Sequence, residues 1–280
     1  MSNKESYIGV FDSGIGGLTV AESIMESLPN ENIIYFGDTA HLPYGTKSEK
    51  QIMEYVFDDV NFLQQFDLKA LVVACNTADS VARRMLKKQY DLPIFGVIKP
   101  ASFQAAKTSK NHRIGVMATT ATVRSGAYPQ AIHQFDKNAE VFTLACPLLV
   151  PLVENGRYDK DDIVVTTILQ EYLDQLLIHD IDTLVLGCTH YPLLMDAIQY
   201  LVPHINVISS SDAAAEALRI GLEERDLLSE TENGANKYFV SDDAEHFGEN
   251  ARLFLKDHDD ITAELVTLPY DTETDRASYD

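Results

Sequence analysis

The sequence predicts an α/β protein of two similar, doubly wound domains with mainly parallel sheets, related by pseudo-two-fold symmetry, with an active site in the cleft between them. Three observations lead there. Short apolar runs alternate with segments of helical periodicity, the pattern of βαβ units. Two of those runs end on one plan, "ALVVACNTA" at 70–78 and "TLVLGCTHY" at 183–191: apolar strand, small residue, cysteine, small polar pair. Upstream of each stands another run that ends in hydroxyls and small residues, "IGVFDSGIGG" and "IGVMATTATVRSG". The spacing agrees roughly, 63 residues from Asp12 to Cys75 and 69 from Thr119 to Cys188.

Taken in order, residues 8–11, 33–36, 71–74, 94–97, 114–117, 183–186 and 206–208 read as short buried strands. Continuous apolar runs of this length suit a parallel sheet covered on both faces, and for the same reason two such runs can look alike by chance. Ile52, Val56, Val60 and Leu63 recur every three or four residues, an amphipathic helix that Ser48 and Gln51 open at capping-box spacing. Ile163, Ile168, Tyr172, Leu176 and Leu177 make a second such stripe, and residues 213–228 a third. The repeat sets the domain plan: 1–98 plus 208–267 form the first domain and 99–207 are inserted as the second. The chain must return to complete the first sheet after the second motif pair. Residues 268–280 read as a flexible acidic tail. In open α/β sheets a ligand sits beyond the carboxyl ends of the strands, where both cysteine motifs fall.

The 280 residues, 45% hydrophobic and 23% charged, have the composition of a globular protein. A net charge of −21 makes nucleic acid and anionic membrane surfaces poor partners. The N-terminal stretch lacks basic residues followed by an apolar core, and the longest apolar run, 144–153, is too short to span a bilayer and contains two prolines. The expectation is a cytoplasmic protein. Cys75, Cys146 and Cys188 are odd in number and widely spaced, which argues against a disulfide framework and a CxxC zinc site, so no metal is expected. The "SGIGG" loop matches neither a dinucleotide fingerprint nor a P-loop.

Cys75 and Cys188 each follow a strand and precede a predicted helix, where backbone N–H groups favour a thiolate. A free thiol is only a few per cent ionised at pH 7, and lowering its pKa by about 1.5, roughly 2 kcal/mol, makes it half ionised. A cysteine hydrolase needs one nucleophile, a base and an oxyanion hole, so a second matched cysteine is superfluous to it. Redox pairs usually lie close in sequence. Two thiols on opposite walls of a cleft suit a symmetric reaction, in which one takes a proton from one face of a carbon and the other delivers a proton to the opposite face. One is then thiolate and the other thiol, the pair titrates as a coupled unit, and the roles exchange for the mirror-image substrate. This is the logic of a cofactor-independent racemase. Cys146, between Ala145 and Pro147 in an apolar run, reads as core packing.

The segments "IGVFDSGIGGLTV", "YFGDTAHLPYGTKS", "VVACNTADS", "IGVMATTATVRSGAY", "ACPLLVPLVENG" and "LVLGCTHYPLL", in order from Ile8 to about Leu255, resemble bacterial glutamate racemases of the aspartate/glutamate racemase family. The resemblance implies reversible interconversion of L- and D-glutamate without cofactor or metal, D-glutamate supply for peptidoglycan precursors, and a homodimer. It implies that Cys75 and Cys188 are the acid/base pair, with Asp12 assisting Cys75 and His190 assisting Cys188. Asp12, Ser13, Asn76, Thr77, Thr119, Thr122, Thr189 and His190 would hold the substrate, and Tyr44 and Gly45 would line its pocket. Structural readings stand beside these roles. Asp12 and Ser13 can cap the following helix, Tyr44–Gly45 can be a turn, and Thr119 and Thr122 can cap a helix near Ser125. His41, Asp79, Ala118 and Ala121 depart from the residues usual in relatives. No arginine stands inside the matching motifs at the substrate positions, so oriented N–H groups are expected to offset the acidic chain, unless Arg124 or Lys99 reaches the substrate. An aspartate racemase and a one-cysteine acyl-transfer enzyme are the rival expectations.

Overall fold

In the computed structural model, which describes residues 3–255 and 261–268, the chain builds most of one sheet, crosses to build a second, and returns to add two strands to the first. The first half runs β1 (Tyr7–Asp12), α1 (Leu18–Ser27), β2 (Ile33–Gly37), α2 (Glu49–Leu63), β3 (Leu68–Val73), α3 (Asn76–Gln89) and β4 (Ile94–Gly96). The chain then crosses through α4 (Ile98–Thr108) into β5 (Arg113–Ala118), α5 (Thr120–Ser125), α6 (Ala127–Phe135), β6 (Glu140–Ala145) and α7 (Leu149–Glu154). It continues through α8 (Ile163–Leu177), β7 (Thr183–Gly187), α9 (Met195–Leu201) and β8 (Asn206–Ser209). It returns through α10 (Ser210–Glu223) to β9 (Asn236–Val240), α11 (Phe247–Ala251) and β10 (Glu264–Leu265). The six-stranded sheet has the order β10-β9-β2-β1-β3-β4 and the four-stranded sheet β6-β5-β7-β8. Every described pairing is parallel.

Where sequence and structure differ, the differences have local causes. β3 begins at Leu68, earlier than its apolar run, because Lys69 is taken into the sheet fully buried, paired with Glu31 and donating to the carbonyl of Leu227 at 2.9 Å. β6, β9 and β10 have no counterpart among the expected strands. They are edge or near-edge strands with exposed ends, so they lack the continuous apolar signature of the central ones. The expected domain boundary at 207/208 falls within β8, whose four residues all pair with β7. The third helix runs Ser210–Glu223 rather than 213–228, capped by the Ser209 hydroxyl and followed by Asp226 in a left-handed conformation at φ 53°. α2 has the capping box of Ser48 and Gln51, and its Ile52, Val56, Val60 and Leu63 face the core. Of the acidic tail, residues 269–280 lie outside the described residues. No described helix is long and apolar enough to cross a membrane.

β1 and β3 end at Asp12 and Val73, and β5 and β7 at Ala118 and Gly187. All four expected motif segments therefore issue from carboxyl ends of central strands.

Candidate active site

Cys75 and Cys188 line one cavity of about 50 Å³, and each is only 5% exposed. Cys75 arrives from the first sheet as the N-cap of α3, its Sγ accepting from the N–H of Ala78 at 3.5 Å. Cys188 arrives from the second sheet, one residue after β7. Ser13, Tyr44, Gly45, Asn76, Thr77, Thr119, Thr189 and His190 also line the cavity. A cavity of this volume holds little more than a water or two, so a larger ligand requires the two walls to part.

Asp12 and Thr122 stand behind the walls instead of on them. Asp12 is fully buried, accepts from the N–H of Gly14 at 3.1 Å and of Gly17, and touches the Cys75 thiol. It therefore fixes the loop before α1 without standing at the N-cap, which is Gly17. Burial raises its carboxyl pKa, against the pull of His190 and of those N–H groups. Thr122 is 2% exposed and its hydroxyl lies 3.0 Å from Thr119 and 3.3 Å from Thr77. Thr119 is both a cap and a wall. Its hydroxyl accepts from the N–H of Thr122 at the start of α5, and it reaches the Thr77 hydroxyl across the cleft at 2.9 Å. The helix it caps begins at Thr120, five residues before the expected start.

Tyr44 and Gly45 do form a short turn, the 3-10 segment Tyr44–Thr46, and they also line the cavity. The Tyr44 hydroxyl donates to Asp38 Oδ2 at 2.5 Å and stands 3.0 Å from Asp59. Burial and the neighbouring Asp38 hold Asp59 well above the usual carboxylate range. His41 contacts the other side of Asp38 at 2.8 Å, so this departure from relatives supports the turn from behind. Gly45 must be glycine on steric grounds, since a Cβ there would lie 2.9 Å from the Thr119 Cβ. Asn76 is held by Tyr128, whose hydroxyl donates to its Oδ1 at 2.6 Å.

The electrostatics overturn one expectation. Burial first, and the Asp12 carboxylate second, push the Cys75 thiol up to about 12, against the Ala78 N–H and the Ser13 hydroxyl. Desolvation at this site outweighs the helix N-terminus. On the opposite wall it is His190 that is shifted. Burial disfavours the His190 imidazolium, but Cys188, 3.9 Å from Nδ1, and Glu154, 3.1 Å from Nε2, outweigh it and push His190 up to about 10. Gly14, Leu42, Pro43 and Val150 line the cavity without having been singled out in the sequence, and Glu154, at the end of α7, is the ionisable site residue that sequence reasoning missed. It sits in the quoted segment "PLVENG", but nothing local marks its carboxylate as the partner of a histidine 36 residues on.

Cys146 is fully buried outside this cavity, as core packing requires. Asp79, another departure, also lies outside it. Its carboxylate accepts from the N–H of Ile98 at 2.8 Å and meets Arg83 Nε at 2.9 Å, pinning α3 to the start of α4. Neither Arg124 nor Lys99 lines the cavity. Among the described residues no cluster of His, Cys, Asp and Glu is arranged to hold a metal ion.

The family model described as Asp/Glu/Hydantoin racemase matches residues 8–218, a span that includes both cysteines. The chain belongs to that family. It is 42% identical over 262 residues to a glutamate racemase of Sulfurihydrogenibium sp., covering 93% of this chain and 97% of that protein. Among solved structures, glutamate racemase isoform RacE1 from Bacillus anthracis superposes with a TM-score of 0.91 at 40% identity, over 95% of this chain and 99% of that one. A glutamate racemase from Francisella tularensis in complex with D-glutamate gives 0.88 at 35% identity, again over 95% and 99%.

Proposed function

We propose that this racemase-family chain interconverts L- and D-glutamate with two thiols and no cofactor. The observation that carries the reading is that Cys75 and Cys188, from different sheets, face one cavity whose wall also holds hydroxyls, the Asn76 amide, the His190–Glu154 pair and a few apolar side chains. A thiolate on one side removes the Cα proton, forming an S–H bond while the C–H electron pair spreads into the substrate carboxylate. The thiol on the other side then gives its proton to the opposite face of Cα and is left as thiolate. Donors around the substrate carboxylate stabilise the charge that develops, and a dry site strengthens them.

The two thiols have different supports. Cys188 has the His190–Glu154 pair beside it, a histidine that can exchange a proton with this sulfur. Cys75 is a thiol at neutral pH, pushed up by burial and Asp12, which suits the proton donor. Asp12 then takes the role of a carboxyl that exchanges a proton with Cys75 when the direction reverses. Ser13, Asn76, Thr77, Thr119 and Thr189 bind the substrate's charged ends, with Thr122 positioning Thr119 and Thr77. The domain division at about residues 98 and 208, a cytoplasmic location, a homodimer and a role in supplying D-glutamate for peptidoglycan belong to the same reading. Light scattering after gel filtration tests the dimer.

The deciding experiment is racemisation of each enantiomer in deuterated water, followed by circular dichroism and proton NMR. The reading expects deuterium at Cα in the product, faster turnover of glutamate than aspartate, and loss of interconversion in both Cys75→Ala and Cys188→Ala. Dependence on one cysteine alone, with cleavage of an amide or ester, would favour acyl transfer instead.

A further inference from the structure

Behind the Tyr44–Gly45 turn, two carboxyl groups are sealed from water. Asp38 follows β2 and Asp59 stands on α2, and both are fully buried. Asp59 occupies a core position of its helix, three residues after Val56 and four before Leu63, where the apolar stripe calls for a hydrophobic side chain. A local conflict of this kind is what folds retain at functional sites. Neither group lines the cysteine cavity, and the proton transfers between the two thiols use neither. What joins them is the Tyr44 hydroxyl, 2.5 Å from Asp38 Oδ2 and 3.0 Å from Asp59 Oδ2.

A phenol has one proton to give, and an ionised carboxylate can only accept. Asp38 is furnished as the acceptor. It takes the phenol at the short distance of a charge-assisted bond, takes the Ser241 hydroxyl at 2.8 Å, and faces His41 Nδ1 at 2.8 Å. Asp59 has no such set: its Oδ1 has no hydrogen-bond partner among the described residues, and its Oδ2 meets the phenol at the longer distance. The ionisable groups that act on Asp59 most strongly, Asp38, Tyr44, Asp58 and Asp12, are all acids. Burial first, and Asp38 second, hold its carboxyl well above the usual range. Burial, then Asp59 and Asp38, likewise hold the Tyr44 phenol well above its ordinary value, so the phenol keeps its proton. The protons then point one way along the chain, from Asp59 to Tyr44 Oη and from Tyr44 to Asp38.

We propose that Asp59 is a positioning residue for the racemase site, a neutral carboxylic acid that donates to Tyr44 Oη and, with Asp38 as the acceptor, locks the Tyr44–Gly45 turn. The proposal rests on reading the cysteine cleft as that site. Tyr44 and Gly45 line the cavity, and Gly45 closes against Thr119 from the other sheet. One hydrogen bond leaves a phenol free to swing about it; a donor on one side and an acceptor on the other fix the ring and the turn it carries. A neutral Asp59 also keeps a further negative charge away from a cleft that must admit a substrate with two carboxylates.

Infrared difference spectra, parent minus Asp59→Asn at pH 7, read the protonation state without turnover, so the proposal can fail while the racemase reading stands. The expected result is loss of a carboxylic-acid carbonyl band that shifts in deuterated water. Loss of carboxylate bands alone overturns the proposal. Kinetics then separate hydrogen bonding from the filling of space. Asp59→Leu keeps roughly the volume but has no donor, and should raise KM for both enantiomers roughly fivefold while kcat changes by less than about twofold. The amide of Asp59→Asn can donate to Tyr44 in place of the acid, and should hold KM within about twofold of the parent. A parental KM in Asp59→Leu, or a KM in Asp59→Asn as high as in Asp59→Leu, overturns the assignment. If Asp59→Leu fails to fold, the infrared band and the KM of Asp59→Asn decide without it: an unchanged carboxylic-acid region or a KM raised roughly fivefold in that variant overturns the proposal.

Discussion

Glu154→Gln isolates the charge that keeps His190 protonated. Glu154 Oε1 lies 3.1 Å from His190 Nε2, with the two side chains 32% and 8% exposed. Against burial, Cys188 and Glu154 together push the imidazole up to about 10. An opposite charge at this range moves a pKa by about 1–3, and the partial exposure of Glu154 places it in the middle of that span. The amide keeps the shape and one hydrogen bond, so His190 should titrate at roughly 8 in the variant. At pH 9 the parent ring is then about nine-tenths protonated and the variant about one-tenth, an expected loss of roughly ninefold in any rate that needs the cation. At pH 7 both rings are about nine-tenths charged or more, and the rates should nearly coincide. Polarimetric kcat between pH 6 and 10, with the His190 ring-proton titration followed by NMR, reads both numbers. A basic limb that stays at the parent's position, or an unmoved ring titration, refutes the assignment of Glu154.

Three further outcomes follow from neighbouring contacts. A Cβ at Gly16 would run into the His190 ring and stand 2.6 Å from Thr189 Oγ1, so Gly16→Ala should cut kcat by about a hundredfold while far-UV circular dichroism still reports a folded chain. Thr119→Val removes both a cap and a bridge across the cleft. A loss of about 0.5–2 kcal/mol in urea unfolding should accompany a raised KM, and a normal KM would remove Thr119 from the substrate wall. His190 has a folded-state pKa above its unfolded value, so the stability it contributes is fully present below about pH 6.5 and is lost as pH rises through about 10. Urea melts of His190→Gln should therefore lack the part of the parent's decline over that interval that this ring causes, and an identical slope would contradict the shift.

The central strands were legible because each is a continuous apolar run and its period is local. The positions of Cys75 and Cys188 at strand ends were legible for the same reason, and so was the capping box of α2, which needs only Ser48 and a residue three places on. β6 and β9 were not, since each carries exposed or half-buried residues and no continuous apolar pattern. Lys69 hid the start of β3, because a buried lysine can be foreseen only by knowing that Glu31 lies beside it.

The sequence by itself determined the α/β class and the doubled strand–cysteine plan, which depend on neighbours a few positions apart, while most of the side chains on the cleft wall were implied by the resemblance to glutamate racemases. Tertiary structure alone decided that Asp12 and Thr122 stand behind that wall and that Glu154 meets His190. It also decided the state of the Cys75 thiol, where the helix N-terminus favours ionisation and burial opposes it. Desolvation sums over every atom that excludes water, most of them distant along the chain, so its magnitude exists only once the chain has folded.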